Sequence, residues 1–503
     1  MSTPEVGDGA AGTVRWSARV GSLTWWLGAA FLPLIAMAAV VHLAAAFGAT
    51  FETAWLEFPY SSHLWFWLAL AAVAAIVVGL ALLLTVVDRS REAWLLPIGL
   101  VVLVFTRVAA IAVVHPPLVS DWAKYFRLAH QVQDGGPRFA DVPTGLPIID
   151  GLLFRIFGAN VLVGEFTNLA ASFLTGVVVY LLAKDVFGRR AAGVALYVYA
   201  TLIAQFLMVT VFGTEVLFAA FVSGAVLLIL RSVQSPGRRA LVAALGAGAA
   251  LGVSQYVRTD AEYLLPAFLV LPLLAVGSVR RAGQLAAACL VAFMLVIAPV
   301  VAWNHSTYGE WSISTSNFAG WSLLVGTDTA TSGQYGVSST SSLPSDMSTR
   351  ESNDQAMAAA LKRLEAKPSL VAQLAVVKVV PMWGNEDYAA VWVFDQFDAM
   401  QDGARSGIAL ASQILYVGML VVAAIGLGLV RGRRPDAITL VLLILGATAL
   451  AHIFVEVQPR YHFFAEPLLC VLAGGGIVNG LRRGGRADAD SAGRESPAIL
   501  LPA

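Results

Sequence analysis

Charge is scarce in this chain. Asp, Glu, Lys and Arg make up 13% of its 503 residues, while 58% are hydrophobic. A soluble domain carries about twice that charge, so a water-soluble enzyme of this size is excluded, as is a disordered chain. Neither sign of charge is in excess, with 32 Lys and Arg against 32 Asp and Glu, and nothing in that balance calls for a nucleic acid partner. Cysteine is almost missing: Cys289 and Cys470 each sit inside an apolar run. They offer no disulfide framework and no metal-ligand spacing. The sequence has no HExxH, no P-loop, no GxGxxG opening a helix and no GxSxG, which leaves nucleotide-driven chemistry without support.

Long apolar runs are abundant. A helix crosses a bilayer with about 20 apolar residues, and about twelve candidates run near 23–47, 64–87, 94–114, 161–183, 191–212, 214–230, 240–257, 262–279, 282–303, 407–430, 437–457 and 461–480. The expected fold class is an all-α polytopic membrane protein. Lys and Arg then set the orientation. With the N-terminus inside, nineteen of the 32 fall in alternate short loops and the two tails. Arg258 and Arg460 are the exceptions in the short loops of the other face. Both termini are expected to be cytoplasmic, in a cell membrane.

The remaining mass is one-sided. Two long loops, 115–160 and 304–406, fall on the outer face and are rich in aromatic residues, including Trp122, Tyr125, Trp383 and Trp392. Every cytoplasmic loop is short, too short to hold a nucleotide-sugar. The expected organisation is a cytoplasmic tail (1–20), an N-terminal helix hairpin (21–93), a transmembrane core (94–303), the large outer loop (304–406), C-terminal helices (407–483) and a disordered cytoplasmic tail (484–503). Any chemistry therefore faces outward. In the first outer loop, Asp121, Tyr125 and Ala129 share one face of a helix by their spacing. A carboxylate there can serve as a general base, or Ser120 or Asp121 can simply cap the helix.

In their order, the motifs resemble the GT-C superfamily of polyprenyl-phosphate-dependent glycosyltransferases, in the branch of the protein O-mannosyltransferases and aminoarabinose transferases. The segments that carry the resemblance are SDWAKYFRLA at 120–129, PTGLPIIDGLLFRIFGAN at 143–160 and Phe187-Gly188-Arg189. They continue with Gly213-Thr214-Glu215, Trp303-Asn304, Tyr308-Gly309, STSNFAGWSLLVGTD at 314–328, and Gln458-Pro-Arg460-Tyr461-His462. Members often pair acidic residues in the first loop, whereas Asp121 stands between Ser120 and Trp122.

The resemblance implies transfer of a sugar from a polyprenyl-phosphate-linked donor to an acceptor hydroxyl on a glycan, glycolipid or protein of the cell envelope, with inversion at the anomeric carbon. Such chemistry needs a base, cations for the phosphate and an apolar groove for the lipid. Asp121 is the candidate base. Glu215 is the second acid, able to orient the acceptor or to share a divalent metal (Mg or Mn) with Asp121. It could equally be favoured only by a helix N-terminus. Arg460, Arg258 and Lys378 are candidate phosphate ligands, since arginine pairs with phosphate oxygens. The bland readings pair Arg258 with Asp260 or Glu262 and Arg460 with Glu456 or Glu466, and let Lys378 snorkel from an interfacial helix. Tyr125, Tyr461 and His462 are candidate substrate contacts, and His462 could also bind a metal. Arg107, inside a span, has no evident partner. A secondary transporter or lipid flippase is the alternative, but it would show a repeated half and short loops on both faces.

Overall fold

The computed structural model describes residues 26, 29–44, 61–86, 89–136, 139, 142–335, 350–394, 402–429 and 435–492. Among these residues the chain forms nineteen helices and no strand. In order they are α1 (Ala29–Ala44), α2 (Ser61–Val86), α3 (Leu95–Val113), α4 (Ser120–Gln133), α5 (Gly145–Phe157), α6 (Val161–Phe187), α7 (Arg189–Thr201), α8 (Ile203–Leu207), α9 (Glu215–Gln234) and α10 (Gly237–Val257). There follow α11 (Ala261–Ala275), α12 (Val279–Tyr308), α13 (Ala319–Gly326), α14 (Arg350–Ala366), α15 (Leu370–Val377), α16 (Tyr388–Phe394), α17 (Asp402–Leu429), α18 (Pro435–His452) and α19 (Glu466–Ala492). The expected tail 1–20 lies outside the described residues. The tail from 484 is helical to Ala492 rather than disordered, and 493–503 lie outside the described residues.

The protein is a multi-pass membrane protein. Among the described residues eight helices are long and apolar enough to cross a bilayer, and α7 with the segment Ile203–Thr210, bent by 65°, is either a ninth, broken span or a re-entrant loop. Three more apolar runs read as spans fold as shorter apolar helices of 10–17 residues: α1, α11 and the stretch Asp436–His452 of α18. The expected twelve spans are thus twelve apolar segments, of which eight or nine have full spanning length.

The break between α7 and α8 accounts for Arg107. Leu202 turns to an extended conformation (ψ 122°), which ends the hydrogen-bond ladder. Buried Arg107 of α3 then donates to the carbonyls of Tyr199 and Ala200 and to the hydroxyls of Thr106 and Ser172. In an apolar surround every backbone group needs a partner, and this arginine is that partner rather than a site residue. Asn168 of α6 does the same further on, donating to Val211 O at 2.7 Å.

The ends of the bundle differ in character. At one end Arg190 donates to Leu84 O, Arg231 pairs with Asp185, and Arg281 donates to Ser235 O. At the other end lie Glu215, opening α9, and Arg258, just past α10. A helix of α9's 20 residues separates its ends by about 30 Å. The large loop is helical through α13–α16, and α1 lies against it: Phe31 meets Trp383 edge-on, and His42 contacts Asp387 at 3.3 Å.

Close helix contact relies on small residues. A Cβ on Gly248 of α10 would stand 1.9 Å from the carbonyl oxygen of Cys289 in α12, whereas one on Gly283 of α12 would meet nothing within 4 Å. We expect Gly248→Ala to cost about 1–3 kcal/mol through overpacking, and Gly283→Ala to be neutral or to gain up to about 1 kcal/mol from helix propensity. Unfolding midpoints in detergent read both, and equal midpoints would contradict the packing.

Candidate active site

Four sequence-distant segments meet at the end of the bundle away from Arg190, Arg231 and Arg281. The first is the start of α4. Its N-cap is Val119, in extended conformation, and Ser120 takes a left-handed φ of 49°. A non-glycine residue there stores strain. Neither Ser120 nor Asp121 caps the helix, so the capping reading is set aside. Asp121 instead projects from the first turn, with its side chain 51% exposed.

The second segment is Gly213-Thr214-Glu215, which opens α9. Glu215 is buried, and its carboxylate folds back so far that a Cβ on Gly213 would lie 2.6 Å from Oε2. Glycine is needed there for that close approach. The third segment follows α10, where Arg258 leaves the helix in extended conformation. The fourth is the tight 3-10 turn Pro459–Ala465, which carries Arg460 and Tyr461 and leads into α19.

Their side chains form a chain of alternating charge. Arg460 Nη2 lies 3.3 Å from Asp121 Oδ2, and its Nη1 lies 3.6 Å from Glu215 Oε1. Arg258 Nη1 donates to the same Glu215 oxygen at 3.1 Å, and its Nε donates to Asp260 at 2.8 Å. Of the partners foreseen for Arg258, Asp260 is the one present. Arg460 pairs with neither Glu456 nor Glu466. Burial alone would lower the Arg258 pKa, but Asp260 and Glu215 outweigh it and hold the guanidinium firmly charged. The Asp260 carboxyl, also penalised by burial, is kept below its usual range by Arg258.

Aromatic rings flank both cations. Arg258 stands 5.1 Å over the Tyr461 ring, and Arg460 5.1 Å over Trp392 of the large loop, which in turn meets Trp122 of α4. Tyr125 lies one turn after Asp121. Burial, then the charges of Asp121 and Glu215, push its phenol above the ordinary range and keep it protonated. The structure therefore brings Asp121, Tyr125, Glu215, Arg258, Arg460 and Tyr461 together.

Two expected ligands lie elsewhere. Lys378 is buried, and its ammonium donates to the carbonyls of His452, Ile453 and Val455 at 2.7–3.0 Å. Its donors are spent on the turn after α18, so it anchors backbone and holds no phosphate. His462, adjacent to Tyr461 in sequence, points into a separate buried cluster with Glu386 and Glu466, so it is not a substrate contact of this site. His115 is exposed. A divalent metal shared by Asp121 and Glu215 does not fit this arrangement, because Arg460 already bridges the two carboxylates and Arg258 shares the Glu215 oxygen. The His462 cluster, by contrast, has three groups of metal-ligating type.

In the sequence Asp260 stood out only as a partner for Arg258, and Glu386 and Asp150 did not stand out at all. Asp150, inside α5, accepts from Thr167 at 2.6 Å, and burial pushes its carboxyl up to about 7. The motif at 143–160 contains it, but nothing in the one-dimensional pattern shows that it turns inward.

Next to the site runs an apolar groove of about 610 Å³, lined by Pro266, Val270, Met382, Trp383, Leu442 and His452. The His452 ring lies 5.4 Å from that of Tyr461, so the groove adjoins the Arg258 side of the charge chain.

Comparison with known proteins agrees with this architecture. Residues 141–303 match the family model described as dolichyl-phosphate-mannose-protein mannosyltransferase. The fold is similar to the oligosaccharyltransferase of Archaeoglobus fulgidus in its apo form, with 14% identity and a TM-score of 0.50, over 82% of this chain and 53% of that one. This chain thus spans about half the length of that protein. A weaker likeness is to ArnT of Cupriavidus metallidurans bound to undecaprenyl phosphate (14% identity, TM-score 0.36, 81% of each chain). Another is to AglB of Archaeoglobus fulgidus in complex with an inhibitory peptide and a dolichol-phosphate (12% identity, TM-score 0.44, 82% and 52%). No curated protein matches the chain. The resemblance to GT-C glycosyltransferases drawn from the sequence stands on the family match and the shared fold.

The Lys378 contacts carry a prediction. Lys378→Met leaves three carbonyls without their donor, at about 1–3 kcal/mol for each one left unsatisfied. Its unfolding midpoint in detergent should fall well below that of the wild type. A variant as stable as the wild type would remove the anchoring role.

Proposed function

We propose that this protein transfers a sugar from a polyprenyl-phosphate-linked donor to an acceptor hydroxyl on the extracytoplasmic face of the membrane. One observation carries the proposal: an exposed carboxylate, a buried carboxylate and two aromatic-flanked arginines converge at a helix-bundle end, with an apolar groove one ring contact away. The family match to dolichyl-phosphate-mannose-protein mannosyltransferases over 141–303 supports the reaction class. The sidedness is supported by the arginines at the opposite end, which mark the cytoplasmic face by the positive-inside rule.

The donor phosphate binds to Arg460 and Arg258, whose guanidiniums offer paired donors for phosphate oxygens. Its lipid lies in the groove beside His452 and Tyr461. An arriving anion competes with the carboxylates for the same guanidiniums. Asp121 is the most exposed of the three, and so the one that yields. Glu215 and Asp260 stay in place and keep both arginines aimed. Freed from Arg460, Asp121 takes the proton of the acceptor hydroxyl as its oxygen bonds to the anomeric carbon. The bond from that carbon to the phosphate oxygen breaks, and the electron pair leaves on the polyprenyl phosphate, where the arginines stabilise the growing charge. Attack from the face opposite the phosphate inverts the anomeric centre. Trp392, backed by buried Trp122, supplies a flat face against which a sugar ring can lie.

Purified protein in lipid vesicles, given a panel of polyprenyl-phosphate sugars, tests this reading. Asp121→Asn should lower kcat by at least about 100-fold, the range of a lost general base, while donor binding persists. Arg460→Lys, which keeps the charge but loses the fork, should mainly raise KM for the donor. Transfer at the wild-type rate by Asp121→Asn would eliminate Asp121 as the base.

A further inference from the structure

A second polar cluster lies apart from the charge chain, and the transfer reaction leaves it unused. It joins His462 of the 3-10 turn, Glu466 of the first turn of α19, and Glu386 of the large loop between the Val380–Gly384 turn and α16. His462 and Glu466 have no solvent exposure and Glu386 has 1%. No Lys or Arg among the described residues pairs with either glutamate; among those residues their only ion-pair partner is His462.

The hydrogen bonds define the histidine tautomer. Nδ1 lies 2.5 Å from the Met382 carbonyl oxygen. A carbonyl only accepts, so Nδ1 carries the proton and donates it. In a neutral ring Nε2 then bears only a lone pair. That lone pair faces Glu386 Oε2 at 2.7 Å and Glu466 Oε1 at 3.7 Å. With both carboxyl groups ionised, three electron-pair donors point at one another in a dry interior. A backbone carbonyl behind a histidine is also the usual outer partner of a metal-bound imidazole.

The surrounding atoms point the same way. Gln205 donates to Glu466 Oε2 at 3.0 Å and the Glu386 and Glu466 carboxyl groups contact each other, but Glu386 Oε1, Glu466 Oε1 and the hydroxyl of buried Tyr388 find no partner outside the cluster among the described residues. The Tyr388 ring stands edge-on to His462, with ring centres 6.1 Å apart. A proton shared between imidazole and carboxylate would satisfy one contact and leave these oxygens unpaired, each at a cost of about 1–3 kcal/mol. A divalent cation neutralises two buried carboxylates and takes up their free lone pairs.

We propose that Glu386, His462 and Glu466 bind a divalent transition-metal ion, with zinc as the best match to one nitrogen and two oxygen ligands. One ligand atom from each residue already lies within 4.8 Å of the others. Zinc bonds of about 2.0–2.2 Å place tetrahedral ligand atoms about 3.3 Å apart, so small side-chain shifts bring three ligand atoms into position and leave the fourth to a water. The ion pins the large loop to the turn that carries Arg460 and Tyr461, and its role is to position them. It touches no donor or acceptor. The assignment is independent of the transferase reading.

Elemental analysis tests it on the full-length protein, purified in detergent without chelator or added metal. The wild type should hold about one zinc per chain, and X-ray absorption should show only nitrogen and oxygen ligands. Glu386→Gln and Glu466→Gln should each lose the metal, while Asp121→Asn keeps it. Chelator should lower the unfolding midpoint of the wild type but leave that of Glu386→Gln unchanged. The wild-type measurement stands even if a variant fails to fold. A wild type that neither carries metal nor takes up added zinc at the equimolar level would overturn the proposal, as would metal that Asp121→Asn loses and Glu386→Gln retains.

Discussion

The chain of alternating charge from Asp121 through Arg460, Glu215 and Arg258 to Asp260 is the interaction on which the site depends. Each link from Asp121 to Arg258 joins segments far apart in sequence. Glu215 lies at its centre, buried, and a single oxygen of it receives both guanidiniums. Without Glu215 two like charges would face each other in a poorly solvated interior, at a cost of several kcal/mol. The carboxylates are thus what allows two arginines to stand together in a buried site. The same arrangement leaves one member, Asp121, on the solvent side. An anion can replace it without dismantling the rest, which is the property the proposed donor requires.

The helix termini deliver these residues, and the breaks in the helices are as important as the spans. The close approach at Gly213 and the tight turn before α19 each turn a polar side chain inward where a regular helix would carry it past, and the strained Ser120 starts the helix that sets Asp121 beside them on the solvent side. Irregular backbone in an apolar surround must be satisfied by protein groups. Arg107, Asn168 and Lys378 fill that role, donating to carbonyls that the bends leave free. Buried cations near a membrane site therefore divide into two kinds here. Some face carboxylates and are available to an anion, and others are consumed by backbone.

The two acidic clusters show how partners decide chemistry. Glu215 meets arginine, so its charge is already matched and a metal has no place beside it. Glu386 and Glu466 meet a histidine whose proton is committed to Met382. That leaves lone pairs opposed to lone pairs. Of the residues that looked suited to metal in the sequence, arginine claims Asp121 and Glu215, whereas His462 joins two glutamates that only the fold brings to it.

The amino-acid sequence was sufficient for the class of molecule, because hydropathy over about 20 residues is a local property. The spans, the long aromatic loops and the exceptional arginines Arg258 and Arg460 could all be read from it. So could Asp121, Tyr125, Glu215 and Tyr461 as neighbours, since each sits where a span ends on one face. Which cation pairs with which acid was not legible. Arg460 passes over the nearby Glu456 and Glu466 to reach Asp121, and Lys378 and His462 turn away from the site into backbone and carboxylate contacts. Glu386 lies in a loop with no periodicity to mark it. Those outcomes depend on side-chain direction and on contacts between residues tens to hundreds of positions apart, and only the packing of helices against one another could decide them.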